Sequence, residues 1–79
     1  MKNGFRHREV KFPENKRIAA KLNRGDRVVI ADRVGVKPGT IRDILNGFRK
    51  MPDNVKKAII EIMNERQKLD RALEEITNQ

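Results

Sequence analysis

Residues 27–46, RVVIADRVGVKPGTIRDILN, hold the pattern that decides the fold. Ile30, Ala31 and Val34 recur at steps of one, three and four, the spacing of a helix with a single buried face. Gly35 stops that helix because glycine accepts the positive φ that a tight turn demands. Pro38 then suits the opening of a second short helix, whose inward residues are Ile41, Ile44 and Leu45 and which ends at Asn46-Gly47. Ala31 is small where two helices approach closely, and Val34, Val36, Ile41 and Ile44 are expected to fill the space between them. A helix of two turns is unstable alone, so its neighbours must hold it.

Working outward, Pro13 and Glu14 open a leading helix whose face is Ile18, Ala19 and Leu22, with Gly25 ending it. Asp26 is expected to cap the amides of the next helix across a very tight connection. On the other side, a long helix starts near Pro52 or Asp53, with Val55, Ile59, Ile62, Leu69, Leu73 and Ile76 on a four-three seam that Arg66 interrupts. Ala58, Ile60 and Met63 widen the apolar surface in its first half only, so Val55 to Met63 should pack on the domain. Phe48 and Met51 are assigned to the core. The fold class is therefore all-α: a small domain of about four helices over 13–66, with the two-helix unit at 27–46. It carries a flexible basic arm of low order at 1–12, in which Val10 and Phe12 suit a short strand, and a helical extension at 67–79.

The chain has 79 residues, 19 Lys plus Arg, 11 Asp plus Glu, no Cys and a formal charge of +8. Disulfides and thiolate metal sites are excluded, and the longest apolar run, Val28 to Ala31, is too short for a membrane span or signal-peptide core. Residues 1–50 hold 14 basic and 5 acidic side chains, whereas 51–79 hold 5 and 6, so the positive charge is regional. Such a field attracts nucleic acid or an anionic membrane surface. With three Phe and neither Trp nor Tyr, there is little material for base-stacking or for membrane anchoring, which favours duplex phosphate.

The stretch IADRVGVKPGTIRDILNG, residues 30–47, resembles the helix-turn-helix of Cro and repressor-type phage regulators and of lactose-repressor-type headpieces. The likeness is strongest over 25–50 and extends to roughly 14–66; the leading helix favours the Cro and repressor branch. It implies that the helix after Lys37 is a recognition helix set in the DNA major groove by the helix before it. Two departures stand out: Lys37 occupies a place where a capping Ser or Thr is usual, and Gly39 weakens the first helical turn. Either the side-chain-free turn lets DNA approach the backbone, or the turn is simply irregular.

The expected base-reading positions are Lys37, Gly39, Arg42, Asp43 and Asn46. Arg42 suits guanine, Asn46 suits adenine, and Asp43 either accepts from cytosine or orients Arg42. The alternative is a solvated helix face with a local Arg42–Asn46 pair. Arg24, Arg27, Thr40, Arg49 and Lys50 are expected on phosphates, the four basic ones bracketing the helix pair at its ends. Arg6, Arg8 and Lys11 of the arm either track the groove or form a solubilising tail. Leu69, Leu73 and Ile76 are expected to pair with the same stripe of a second chain, giving a homodimer or higher oligomer.

No catalytic or metal set is expected. His7 is the sole His, with no triad around it, and residues 35–40 lack phosphate-loop spacing. No cofactor, small-molecule ligand or membrane partner is expected, and ligand control within this chain is not foreseen. The reading is a sequence-specific double-stranded DNA binder and transcriptional regulator, cytoplasmic and nucleoid-associated in a bacterial or phage-infected cell. The runner-up is a small phage DNA-packaging or assembly component. An RNA-binding module is weaker for want of an aromatic platform or glycine clamp.

Overall fold

The computed structural model describes residues 8–78 and is all-helical: α1 (Glu14–Ala19), α2 (Asp26–Val34), α3 (Pro38–Leu45) and α4 (Asp53–Thr77). Arg6 and His7, for which the sequence raised expectations, lie outside the described residues. α2 packs on α3 and α4, and α1 on α3. The core is Ile30 and Ala31 of α2, Ile41, Ile44 and Leu45 of α3, Met51 of the loop, and Val55, Ala58, Ile59 and Ile62 of α4. Ile18, Ala19 and Leu22 close one side. No helix is long and apolar enough to cross a membrane among the described residues.

The α2–α3 unit follows its sequence signals closely. Gly35 has φ +83°, and the amides of Gly35 and Val36 both reach back to the Ala31 carbonyl, at 2.8 and 3.0 Å. That satisfies the end of α2 and turns the chain within three residues. Lys37 is extended, as a residue before proline prefers, and α3 starts without a side-chain cap. Val36 departs from expectation: it is exposed rather than packed between the helices. The turn is closed by its backbone bonds, so it requires no side chain there.

α1 is shorter than expected, and its connection to α2 is six residues long rather than tight. After Ala19 the amides of Lys21 and Leu22 bond three residues back, to Ile18 and Ala19, so the helix tightens and ends before Gly25. Gly25, at φ +91°, precedes α2 as its cap position and does not terminate α1. Asp26 caps nothing in α2. It is buried, accepts a hydrogen bond from the Asn23 amide at 2.7 Å, and receives both terminal nitrogens of Arg66, with Nη1 at 2.7 Å from Oδ2. The seam-breaking Arg66 is thus the partner of a buried carboxylate. Arg33, toward the other end of α2, pairs with Glu65 at 3.0 Å and lies 3.8 Å from Glu61. These exposed pairs contribute little, but with Arg66 they fix where α2 crosses α4.

The hydrogen bonds from Arg66, opposed by burial and helped by the Asn23 amide, hold the Asp26 carboxyl below the ordinary carboxylate range. A depressed folded value means stability that is present at neutral pH and lost as the group is forced to protonate. Thermal melts should therefore show a falling midpoint from about pH 5 downward. Asp26→Asn should melt lower than the parent at pH 7 and show a shallower dependence on pH. Parallel curves for the two proteins would show that this carboxylate does not carry the acid sensitivity.

Three further expectations are corrected. Phe48 is half-buried outside the core, with the Arg8 guanidinium 4.2 Å from its ring centroid. Ile60 is exposed although Ile59 and Ile62 are buried, because only α2 and the loop cover α4 on that side. Val10 and Phe12 form no strand. The amides of Lys11 and Phe12 both donate to the Gly47 carbonyl, at 2.9 and 3.0 Å, so this segment is seated against the end of α3. Beyond Met63 every residue through Asn78 is exposed except Arg66, which is half-buried. The molecule is accordingly elongated, 61 × 25 × 19 Å.

Candidate nucleic-acid interface

α3 is held by three inward side chains, leaving Lys37, Arg42 and Asn46 exposed and Gly39, Thr40 and Asp43 half-exposed. Arg42 lies back along the helix, its Nη2 3.8 Å from where a Gly39 Cβ would stand. This direction is the one helical side chains take, toward the N-terminal turn. Arg42 also lines a cleft of about 300 Å3 with Arg24, Arg27 and Asn46. Arg24 and Arg27 therefore line one cleft with Arg42, whereas Arg49 and Lys50 do not line it. Arg24 lies in the connection and Arg27 in the first turn of α2, on either side of Asp26, which is bonded to Arg66.

A second group forms around Asp43. Its carboxylate accepts from Arg8 Nη1 at 3.0 Å, correcting the expectation that it would orient Arg42. The Arg8 hydrogen bond pulls the Asp43 carboxyl below its ordinary range, opposed by burial and helped by the fields of Arg8, Arg42 and Arg49. Asp43 is the acid among three arginines. It therefore stays ionised and offsets part of their mutual repulsion at neutral pH. Thr40, Arg49 and Lys50 lie outside the cleft, and Lys37 stands at the exposed start of α3.

Gly39 does not adopt a positive φ, and an added methyl group would meet only the far end of the Arg42 side chain at ordinary contact distance. The fold itself therefore does not require glycine at this position. The Arg42 guanidinium lies over the first turn of α3, where Gly39 presents no side chain.

Sequence reasoning missed two residues that position this surface. Asn15 is buried, and its Nδ2 donates to the carbonyls of Ile44 and Arg49, both at 3.0 Å, tying α1 to the end of α3 and the following loop. Nothing in its neighbours signals this role. Arg8 was assigned only to an arm, although a basic residue beside an aromatic-containing loop has a stacking surface available. Asp26 had a readable signal: an arginine on an otherwise apolar seam needs a buried acid. Comparison of the chain with family models, with curated proteins and with solved structures returns no match.

Proposed function

We propose that this chain is a sequence-specific double-stranded DNA-binding protein, a transcriptional regulator of the Cro and repressor type, non-enzymatic and cytoplasmic. In this reading α3 enters the major groove and α2 sets its angle against the duplex. The observation that carries it is the gathering of Arg24, Arg27, Arg42 and Asn46 around one cleft beside a short helix whose first turn carries Gly39. Arg42 and Asn46 read base edges, with Lys37 at the helix start. Arg24, Arg27, Thr40, Arg49 and Lys50 meet phosphate. Asp43, bonded to Arg8, holds the arm segment against the helix more than it reads a base. A second copy, recruited through Leu69, Leu73 and Ile76, would place two α3 helices on one DNA molecule.

Arg42→Ala is expected to cost about 1–3 kcal/mol on the preferred site and to relax base choice at one position. Lys50→Ala should weaken preferred and scrambled duplexes alike and reduce the slope of log affinity against log salt by about one. Titration of both variants with the two duplexes decides the reading. An equal loss on both for Arg42→Ala would make that residue a phosphate contact.

Gly39→Ala separates the fold from the interface. The free protein should gain up to about 1 kcal/mol, because alanine is the better helix former and has room. The methyl group should weaken DNA binding by occupying the approach. A gain in melting temperature with unchanged affinity would remove Gly39 from the contact surface.

The reading as a small phage DNA-packaging or assembly component is favoured by one feature, the exposed apolar stripe on the far half of α4. Light scattering distinguishes them: a regulator is a monomer or dimer, whereas a packaging subunit builds a ring.

A further inference from the structure

Between α1 and α4 runs an apolar groove of about 420 Å3, walled by Ile18, Ile60 and Met63 among others. Ile60 is more than half exposed there. Every charged side chain lining the groove is a cation: Arg17, Lys21 and Lys56. On the same molecule, Leu69, Leu73 and Ile76 stand 62–68% exposed on the far half of α4. From Leu69 to Asn78 the charged residues are Asp70, Glu74 and Glu75 against the single Arg71. We infer that the groove is the receptor for the α4 tail of a second copy of this chain, with Leu69, Leu73 and Ile76 seated against its walls and the tail's acids facing Arg17, Lys21 and Lys56.

The dimensions agree. The stripe runs from Leu69 to Ile76, seven helical steps or about 10.5 Å, and the α4 wall of the groove covers the same seven steps, from Lys56 to Met63. The contact is necessarily between molecules. α4 is one continuous helix from Asp53 to Thr77, so its tail points away from the groove that its own first half helps to build. Pairing of stripe with stripe is the weaker arrangement. Arg66 is committed to Asp26, which ends the seam, and three apolar residues per chain fall short of the repeated heptads that a coiled coil needs. The groove instead supplies a partly preformed apolar surface, so less side-chain freedom is lost on docking.

This inference rests on the self-association reading and not on DNA binding, and it is tested without DNA. Sedimentation of the full chain should show concentration-dependent association that weakens as salt is added. Two full-length variants then divide the contact: Leu69→Gln with Leu73→Gln and Ile76→Gln removes the stripe, and Ile60→Glu blocks the groove with an acid. All four positions are exposed, so at concentrations too low for association both variants should melt like the parent. Each alone should lose self-association, while an equimolar mixture should recover a one-to-one complex, because one variant keeps the groove and the other keeps the tail. An Ile60→Glu chain that associates as well as the parent would overturn the inference in favour of stripe-on-stripe pairing. Two monomeric variants that form no mixed complex would show that stripe and groove are not partners. A parent chain that stays monomeric at high concentration would overturn the self-association reading itself and leave the DNA-binding proposal untouched.

Discussion

Gly47→Ala is expected to lower the melting temperature by about 12–24 °C, the shift that about 3 kcal/mol produces in a domain of this size. Two physical causes add. Gly47 has φ +85°, a conformation that costs a residue with a side chain on the order of 1–2 kcal/mol. A Cβ built there would also stand 2.8 Å from the Phe12 carbonyl oxygen and 2.8 Å from a Val10 methyl, and the first of these is backbone that cannot rotate away. Relief requires the 10–12 segment to lift, which breaks the two hydrogen bonds that the Lys11 and Phe12 amides donate to the Gly47 carbonyl. Arg8, a few residues upstream, would then lose its seat on Asp43 and Phe48. Gly47→Asn separates the causes, since asparagine tolerates the left-handed conformation but brings the same Cβ. Equal losses for the two variants place the cost in the clash, and recovery with asparagine places it in the backbone angle. A shift below about 2 °C for Gly47→Ala would overturn both causes, since the left-handed backbone alone should cost about 4–16 °C.

Asn15→Leu should cost about 2–3 kcal/mol, or roughly 8–24 °C of melting temperature. The leucine keeps comparable bulk but leaves the Ile44 and Arg49 carbonyls without their side-chain donor in a site that is 4% exposed. α1 is only six residues long and cannot stand by propensity, so this pair of bonds is a principal tie between it and the rest of the molecule. Asn15→Asp supplies the control. At neutral pH it sets a carboxylate against two carbonyl oxygens and should be worse than leucine. As the pH falls, the protonated acid regains one donor and part of the stability should return, the reverse of the acid sensitivity expected from Asp26. Calorimetry of the three proteins at pH 7 and pH 4 reads the difference directly. If the leucine variant melts within a few degrees of the parent, the α1 tie is hydrophobic and not polar.

The two-helix unit was legible in the sequence because its determinants are local. The period of Ile30, Ala31, Val34, Ile41 and Ile44 marks the buried faces, Gly35 supplies the positive φ, and Pro38 supplies the fixed φ at the start of α3. Each acts within a few residues, so each reads the same in any fold. The outward residues of α3 follow from the same period, which is why Lys37, Arg42 and Asn46 were placed on the free face correctly. Their companions were not legible. Asp26 looked like a cap because a short polar residue before a helix usually is one, yet an arginine 40 residues away claims it. Arg8 and Asp43 are 35 residues apart, and Asn15 meets Ile44 across 29. Such pairings depend on the crossing of α2 over α4 and on the path of the chain from α1 into α2, which packing decides as a whole. Local residue patterns are enough to set where the helices of the 27–46 unit start, stop and bury their faces. The early end of α1, the outward Val36 and Ile60, and the cleft that Arg24 and Arg27 share with Arg42 follow from packing across the fold. A side chain's partner across the fold is set by where two helices come to rest against each other, and no spacing within either helix carries that information.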